Sequence, residues 1–115
     1  MNGLTRIRST LATAGMLVYE QAQARACAAP YVVVRDMGTY PYAGNNKTGY
    51  TLAVVNVYVP MAGYSQLQTL IAQVQTLLKP LETQVEPTGN IGPDLIEEDY
   101  QAHSKSLEYR INRTL

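Results

Sequence analysis

Tryptophan and phenylalanine are missing from this sequence altogether, cysteine and histidine occur once each, and only 16% of the residues are charged. A single cysteine, Cys27, rules out an intrachain disulfide and with it the stapled scaffolds of small secreted domains. Its expected role is that of a small, partly buried apolar side chain, because the one imidazole that could activate it, His103, lies far along the chain. Nine basic and nine acidic residues leave a formal net charge of 0, and no run of one sign is longer than Glu97, Glu98 and Asp99. A protein that lives on phosphate contacts needs a basic stripe to displace counterions, so nucleic acid is not expected as a direct partner. Long hydrophobic runs are missing too, since nothing approaches the roughly 20 apolar residues of a membrane-spanning helix. Arg6 and Arg8 precede a mildly apolar stretch over residues 11–19, but Thr13 and Gly15 interrupt it. A secretory leader is therefore not expected, and the protein reads as soluble and intracellular when made.

What the sequence does hold is the apolar content of one domain. Its 115 residues are 46% hydrophobic, enough for a single core across residues 1–115 that buries roughly two thirds of the unfolded surface. All nine aromatic residues are tyrosine. A tyrosine ring is apolar while its hydroxyl seeks a partner, which suits half-buried sheet faces and protein interfaces better than a dry interior. The core must rest on Leu, Val and Ile, and the thinly charged surface is expected to meet other proteins.

Leu4, Ile7, Leu11 and Ala14 recur at helical spacing, with Asn2 placed to cap the first turn and Gly15 to end the helix. Residues 16–19 can open an extended segment, and the Ala- and Gln-rich stretch over 20–29 suits a short helix. Pro30 pushes its predecessor out of the α region, and Tyr31, Val32, Val33 and Val34 read as a strand. Residues 39–49 are dense in Gly, Asn and Pro and predict a hairpin loop of about ten residues, longer than the two to five of ordinary hairpins.

Residues 50–59 form the clearest strand. One face carries Ala53, Val55, Val57 and Val59 and belongs to the core, while the other carries Leu52, Val54, Asn56 and Tyr58. Beyond Pro60, Ser65 and Gln68 match a capping box. The helix that follows has the apolar stripe Leu67, Leu70, Ile71, Val74, Leu77 and Leu78, and Pro80 stops it. Residues 82–86 are a candidate short strand, Pro87, Thr88, Gly89 and Asn90 a turn, and 91–99 irregular or a weak edge strand. Over residues 106–113, Leu107, Tyr109 and Ile111 alternate with polar neighbours, the period of a half-buried antiparallel strand. The expected fold class is α+β: a mostly antiparallel sheet of about four or five strands with two main helices packed on one face.

Patterns that carry chemistry are sparse. His103 stands beside Ser104 and Ser106, but neighbours in sequence do not make a triad, and the protein is read as a non-enzyme. Asp94, Glu97, Glu98 and Asp99 offer the oxygen ligands that hard cations prefer, without the spacing of a calcium loop. A solvated loop or an intersubunit salt-bridge patch is the favoured reading there. Neither glycine-rich phosphate motif occurs, and no metal or cofactor is expected. The remaining candidate is the loop holding Tyr40, Tyr42, Asn45, Asn46, Lys47 and Tyr50, residue types that build adaptable contact surfaces. A merely solvated hairpin is the equal alternative.

Ala29-Pro30-Tyr31-Val32-Val33-Val34, the strand over 52–59 running into Gly63-Tyr64-Ser65, the helix over 66–78, and Leu107-Glu108-Tyr109-Arg110-Ile111 together carry a resemblance. In the order and spacing of these elements the chain resembles the tail-completion and tail-terminator proteins of long-tailed bacteriophages. The resemblance implies a structural virion protein of the phage neck, a ring that is commonly hexameric and that ends the tail tube and joins it to the head-tail connector. The partners it implies are further copies of the chain, the tail-tube protein and connector proteins, with DNA only as cargo in the channel and no membrane. The implied location is the virion neck, after assembly in the host cytoplasm. In that setting the loop from Tyr40 to Tyr50 is expected to touch a neighbouring subunit or the tail tube, and the edge strands to pair between subunits. The alternatives are a head-tail adaptor or minor capsid protein and, outside that class, a small-ligand-binding or regulatory α+β domain.

Overall fold

A computed structural model describes residues 3–19, 29–44, 47–81, 84–98 and 102–114. In chain order they form helix α1 (Gly3–Thr13), strands β1 (Val18–Tyr19), β2 (Tyr31–Pro41) and β3 (Thr48–Pro60), a 3-10 stretch over Met61–Gln66, helix α2 (Leu67–Leu78), a second 3-10 turn at Lys79–Leu81, and strands β4 (Val85–Ile91), β5 (Leu95–Glu97) and β6 (Ala102–Thr114). The six-stranded sheet runs β1, β2, β3, β6, β4, and β5 lines β6 where β4 leaves off. The β1–β2 pair is parallel and the other described pairs are antiparallel.

Both helices cover the same face of the sheet, as the apolar stripes require. Ile7 and Leu11 of α1 and Leu67, Ile71, Val74 and Leu78 of α2 close over Val32, Val34, the odd-numbered positions Ala53 to Val59 of β3, Val85, and Leu107, Tyr109 and Ile111 of β6. Each fully buried Val, Leu or Ile contributes roughly 1.5–3 kcal/mol of transfer free energy. Gly3 sits so close to Ile111 that a Cβ there would overlap the isoleucine side chain. At the other end of α1, Gly15 takes a positive φ of 92°, the left-handed turn in which helices commonly stop.

Several local expectations change. The predicted ten-residue loop is shorter, because β2 extends to Pro41 and β3 begins at Thr48, so that only residues 42–47 connect them. The capping box does not form: α2 starts at Leu67 after the 3-10 stretch, and no side chain caps its first turn. Pro87, Thr88, Gly89 and Asn90 are not a free turn but part of β4, where the register slips between Pro87 and Ile91 around a positive-φ Gly89. Only Pro87 and Ile91 keep partners on β6, so the turn-forming residues between them make a bulge, four steps along β4 against two along β6. Asn2, Cys27 and the segment 20–28, Asn45, Asn46, Glu82 and Asp99 lie outside the described residues.

The second face of the sheet has its own small cluster. Tyr31, Val33 and Ala102 are buried there with Tyr19 and Tyr58 against them. Tyr31 stacks on Tyr58 at a centroid distance of 4.8 Å and meets Tyr19 edge-on at 5.2 Å. Farther along the same face, towards the β2–β3 turn, lie Tyr50, Leu52 and Val54, all half-buried.

Candidate assembly surface

At the turn end of the β2–β3 hairpin a bulge decides which way the tyrosines point. Asp36 pairs with Ala53 and Thr39 with Thr51, so β2 spends one residue more than β3 over this interval. Because strand side chains alternate, one extra residue exchanges the two faces. Gly38 supplies the turn with φ 106°, and its N–H is held by the Asp36 carboxylate at 2.8 Å. Thr39 therefore meets Thr51, their hydroxyls 2.8 Å apart, and Tyr40 comes to stand opposite Tyr50.

The result is a tyrosine cluster on the face opposite the helices. Tyr40 and Tyr42 lie 5.8 and 5.3 Å from Tyr50 between ring centroids, within the range where aromatic pairs attract beyond simple burial. The Arg110 guanidinium lies 5.4 Å over the Tyr50 ring, a cation–π contact. Each hydroxyl with a described role points back into the domain, Tyr40 donating to the Met37 carbonyl at 3.0 Å and Tyr42 to Asn112 Oδ1. Next to the cluster, Asn90 donates to Glu108 at 3.0 Å. Tyr42, Tyr50, Leu52, Thr88, Asn90 and Arg110 line an open groove of about 580 Å³.

A second group of polar side chains occupies the far end of the sheet. Tyr64, in the 3-10 stretch, donates to Asp94 at 2.6 Å, and Asp94 also takes an ion pair from Lys105 at 2.9 Å. The hydrogen bond from Tyr64 holds the Asp94 carboxyl below its usual range, with Lys105 adding to the effect, and the same bond raises the Tyr64 hydroxyl. His103 packs edge-on against Tyr64 at 4.7 Å. Around this node Met61, Tyr64, Leu95 and Ile96 are exposed, Ile96 at 62%.

Of the residues singled out from sequence, Tyr40, Tyr42 and Tyr50 are brought together, and Lys47 is exposed at the turn beside them. Arg110, Asn112, Glu108 and Asn90 belong to the same surface but were not singled out. The signal of the first three was present in the polar positions of the 106–113 alternation, which the β3–β6 register places beside Tyr50, Leu52 and Val54; Asn90 had none. His103 and Ser104 point to opposite faces, and the Ser104 hydroxyl donates to Glu97 at 3.1 Å. Asp94 and Glu97 are thus engaged separately, and among the described residues no group of three or more His, Cys, Asp or Glu side chains is placed to hold a metal ion. No helix among the described residues is long and apolar enough to cross a membrane.

The fold and this surface define an α+β domain with a tyrosine-rich patch at one end of its sheet. Comparison with models of known protein families gives no match, and comparison with curated proteins gives none either.

Proposed function

We propose that this protein is a structural assembly subunit of the phage neck, forming a ring of about six copies that terminates the tail tube and joins it to the head-tail connector. The observation that carries this reading is the cluster of Tyr40, Tyr42 and Tyr50 under Arg110. Tyrosine and arginine provide large, stiff, amphipathic contact area at low entropic cost and dominate binding hot spots. Here their hydroxyls and the bulge pre-order them before any partner arrives, which lowers the free energy lost on docking.

The order of elements supports the phage assignment through the resemblance stated above. A formal net charge of 0 fits a subunit that encircles passing DNA, since strong phosphate contacts would hold the cargo in the channel. The test is to mix the purified protein with isolated tail tubes and image them. A cap at one end of each tube is expected; bare tubes, or protein scattered along their length, would contradict the reading.

A second reading, a domain that binds a small apolar ligand, is favoured by one cleft. Met16, Leu17, Pro30, Tyr31, Val57 and Leu70 are among the residues that line a space of about 370 Å³ between the end of α1, β2 and α2. That volume is at the lower end of ligand sites. Saturable uptake of an apolar fluorescent probe, lost in Leu70→Lys, would favour it.

A further inference from the structure

Two of the strand edges expected to pair between subunits, β4 and the part of β2 beyond β1, carry guards. On β2 the Arg8 guanidinium donates to the Val34 carbonyl at 3.5 Å, the Asp36 carboxylate occupies the Gly38 N–H, the Tyr40 hydroxyl occupies the Met37 carbonyl, and Pro41 has no N–H to offer. On β4, Pro87 lacks a donor and the Asn90 N–H is taken by Thr88 Oγ1 at 3.2 Å. Bulges interrupt both strands. Prolines, bulges and side-chain caps of this kind block the addition of a further strand.

Besides Leu17 and Ile91, the described residues hold two groups of exposed large apolar side chains, one towards each end of the strand direction. Met37 and Tyr40 mark the turn end of the hairpin, and Leu95, Ile96, Met61 and Tyr64 the end at which Pro60 pairs with Ala102. Their electrostatic surroundings differ. Around β5 the described residues carry Asp94, Glu97 and Glu98 against Lys105, while the β2–β3 hairpin carries Arg35 and Lys47 against Asp36. Two acidic ends would repel each other, whereas an acidic end and a basic end attract.

We infer that the β5 end of one subunit seats the hairpin end of a second copy of this chain, side chain against side chain, with Met37 and Tyr40 against Leu95 and Ile96. Two different patches on one chain make a head-to-tail contact, which closes into a ring when its rotation divides a full turn. The inference rests on the ring reading and adds to it which surfaces meet.

The test is cross-linking in a Cys27→Ser background. Met37→Cys and Ile96→Cys proteins, one of them carrying a tag that changes its mass, are oxidised separately and mixed, with sedimentation of the unoxidised protein run in parallel. A mixed disulfide dimer that forms while neither variant alone dimerises is the expected result. Self-linking of Ile96→Cys would overturn the head-to-tail contact in favour of a symmetric one. An oligomer of undiminished mass with no mixed dimer would overturn this contact and leave the ring reading standing. A monomer would overturn both.

Discussion

Tyr42 donates its hydroxyl hydrogen to Asn112, a residue 70 positions further along the chain. The bond ties the turn end of the β2–β3 hairpin to the end of β6, so the tyrosine patch belongs to a three-stranded platform and is not a free loop. Tyr42→Phe keeps the ring beside Tyr50 and removes the bond, which is worth about 1 kcal/mol at a half-buried site. Urea unfolding should show a loss of that order, and amide exchange should quicken over residues 42–48 more than in the core.

Gly38 shapes the bulge that turns Tyr40 towards Tyr50. At φ 106° any side chain is strained, and Gly38→Ala should cost about 1–3 kcal/mol. The diagnostic readout is the near-ultraviolet circular dichroism of the tyrosines, which should change along with stability if the bulge is what orients the Tyr40 ring. A loss of stability with an unchanged spectrum would separate the two.

Leu78 closes the C-terminal end of α2 over the sheet and is 1% exposed. Leu78→Ala should lower the unfolding free energy by about 2–5 kcal/mol, the lost transfer energy plus the cavity left behind. Leu77→Ala, one position round the helix and only half-buried, should cost clearly less. Thermal or urea denaturation of the two variants side by side checks the assignment of the buried face.

The link between Tyr64 and Asp94 gives a pH dependence of known sign. Asp94 is held low by the hydrogen bond from Tyr64 and by Lys105, so its contribution is present above the ~3.9 of an unfolded aspartate and is lost as the pH falls through its lower folded value. Tyr64 is held high by the same hydrogen bond and by the Asp94 charge; its contribution is present below the ~10 of an unfolded tyrosine and is lost as the pH rises through its higher folded value. The link is therefore intact throughout neutral pH. Ring resonances of Tyr64 should titrate in the acid limb with Asp94, and Asp94→Asn should abolish that limb.

Much of the fold was legible in the sequence because period-two and helical stripes need no long-range information. The odd-numbered valines of β3, the Leu67 to Leu78 stripe and the alternation around Tyr109 all fall where the pattern places them. What was hidden depended on pairing. Pro87 to Asn90 have the composition of a turn, and the pairing of Pro87 and Ile91 with β6 makes them a bulge inside β4. The bulge at Gly38 gives no periodic signal, yet it sets the face on which Tyr40 appears. The three tyrosines of the cluster were legible from composition and loop position; Arg110 and Asn112 joined them only through the register with β3.

The proposed ring requires the chain to assemble with itself and close. Native mass spectrometry of the purified protein, paired with electron micrographs of the same sample, tests it most directly. A single closed species of about six copies, seen as an annulus, is the expected result. A monomer across the concentration range, or an open series of masses with no preferred copy number, would contradict it.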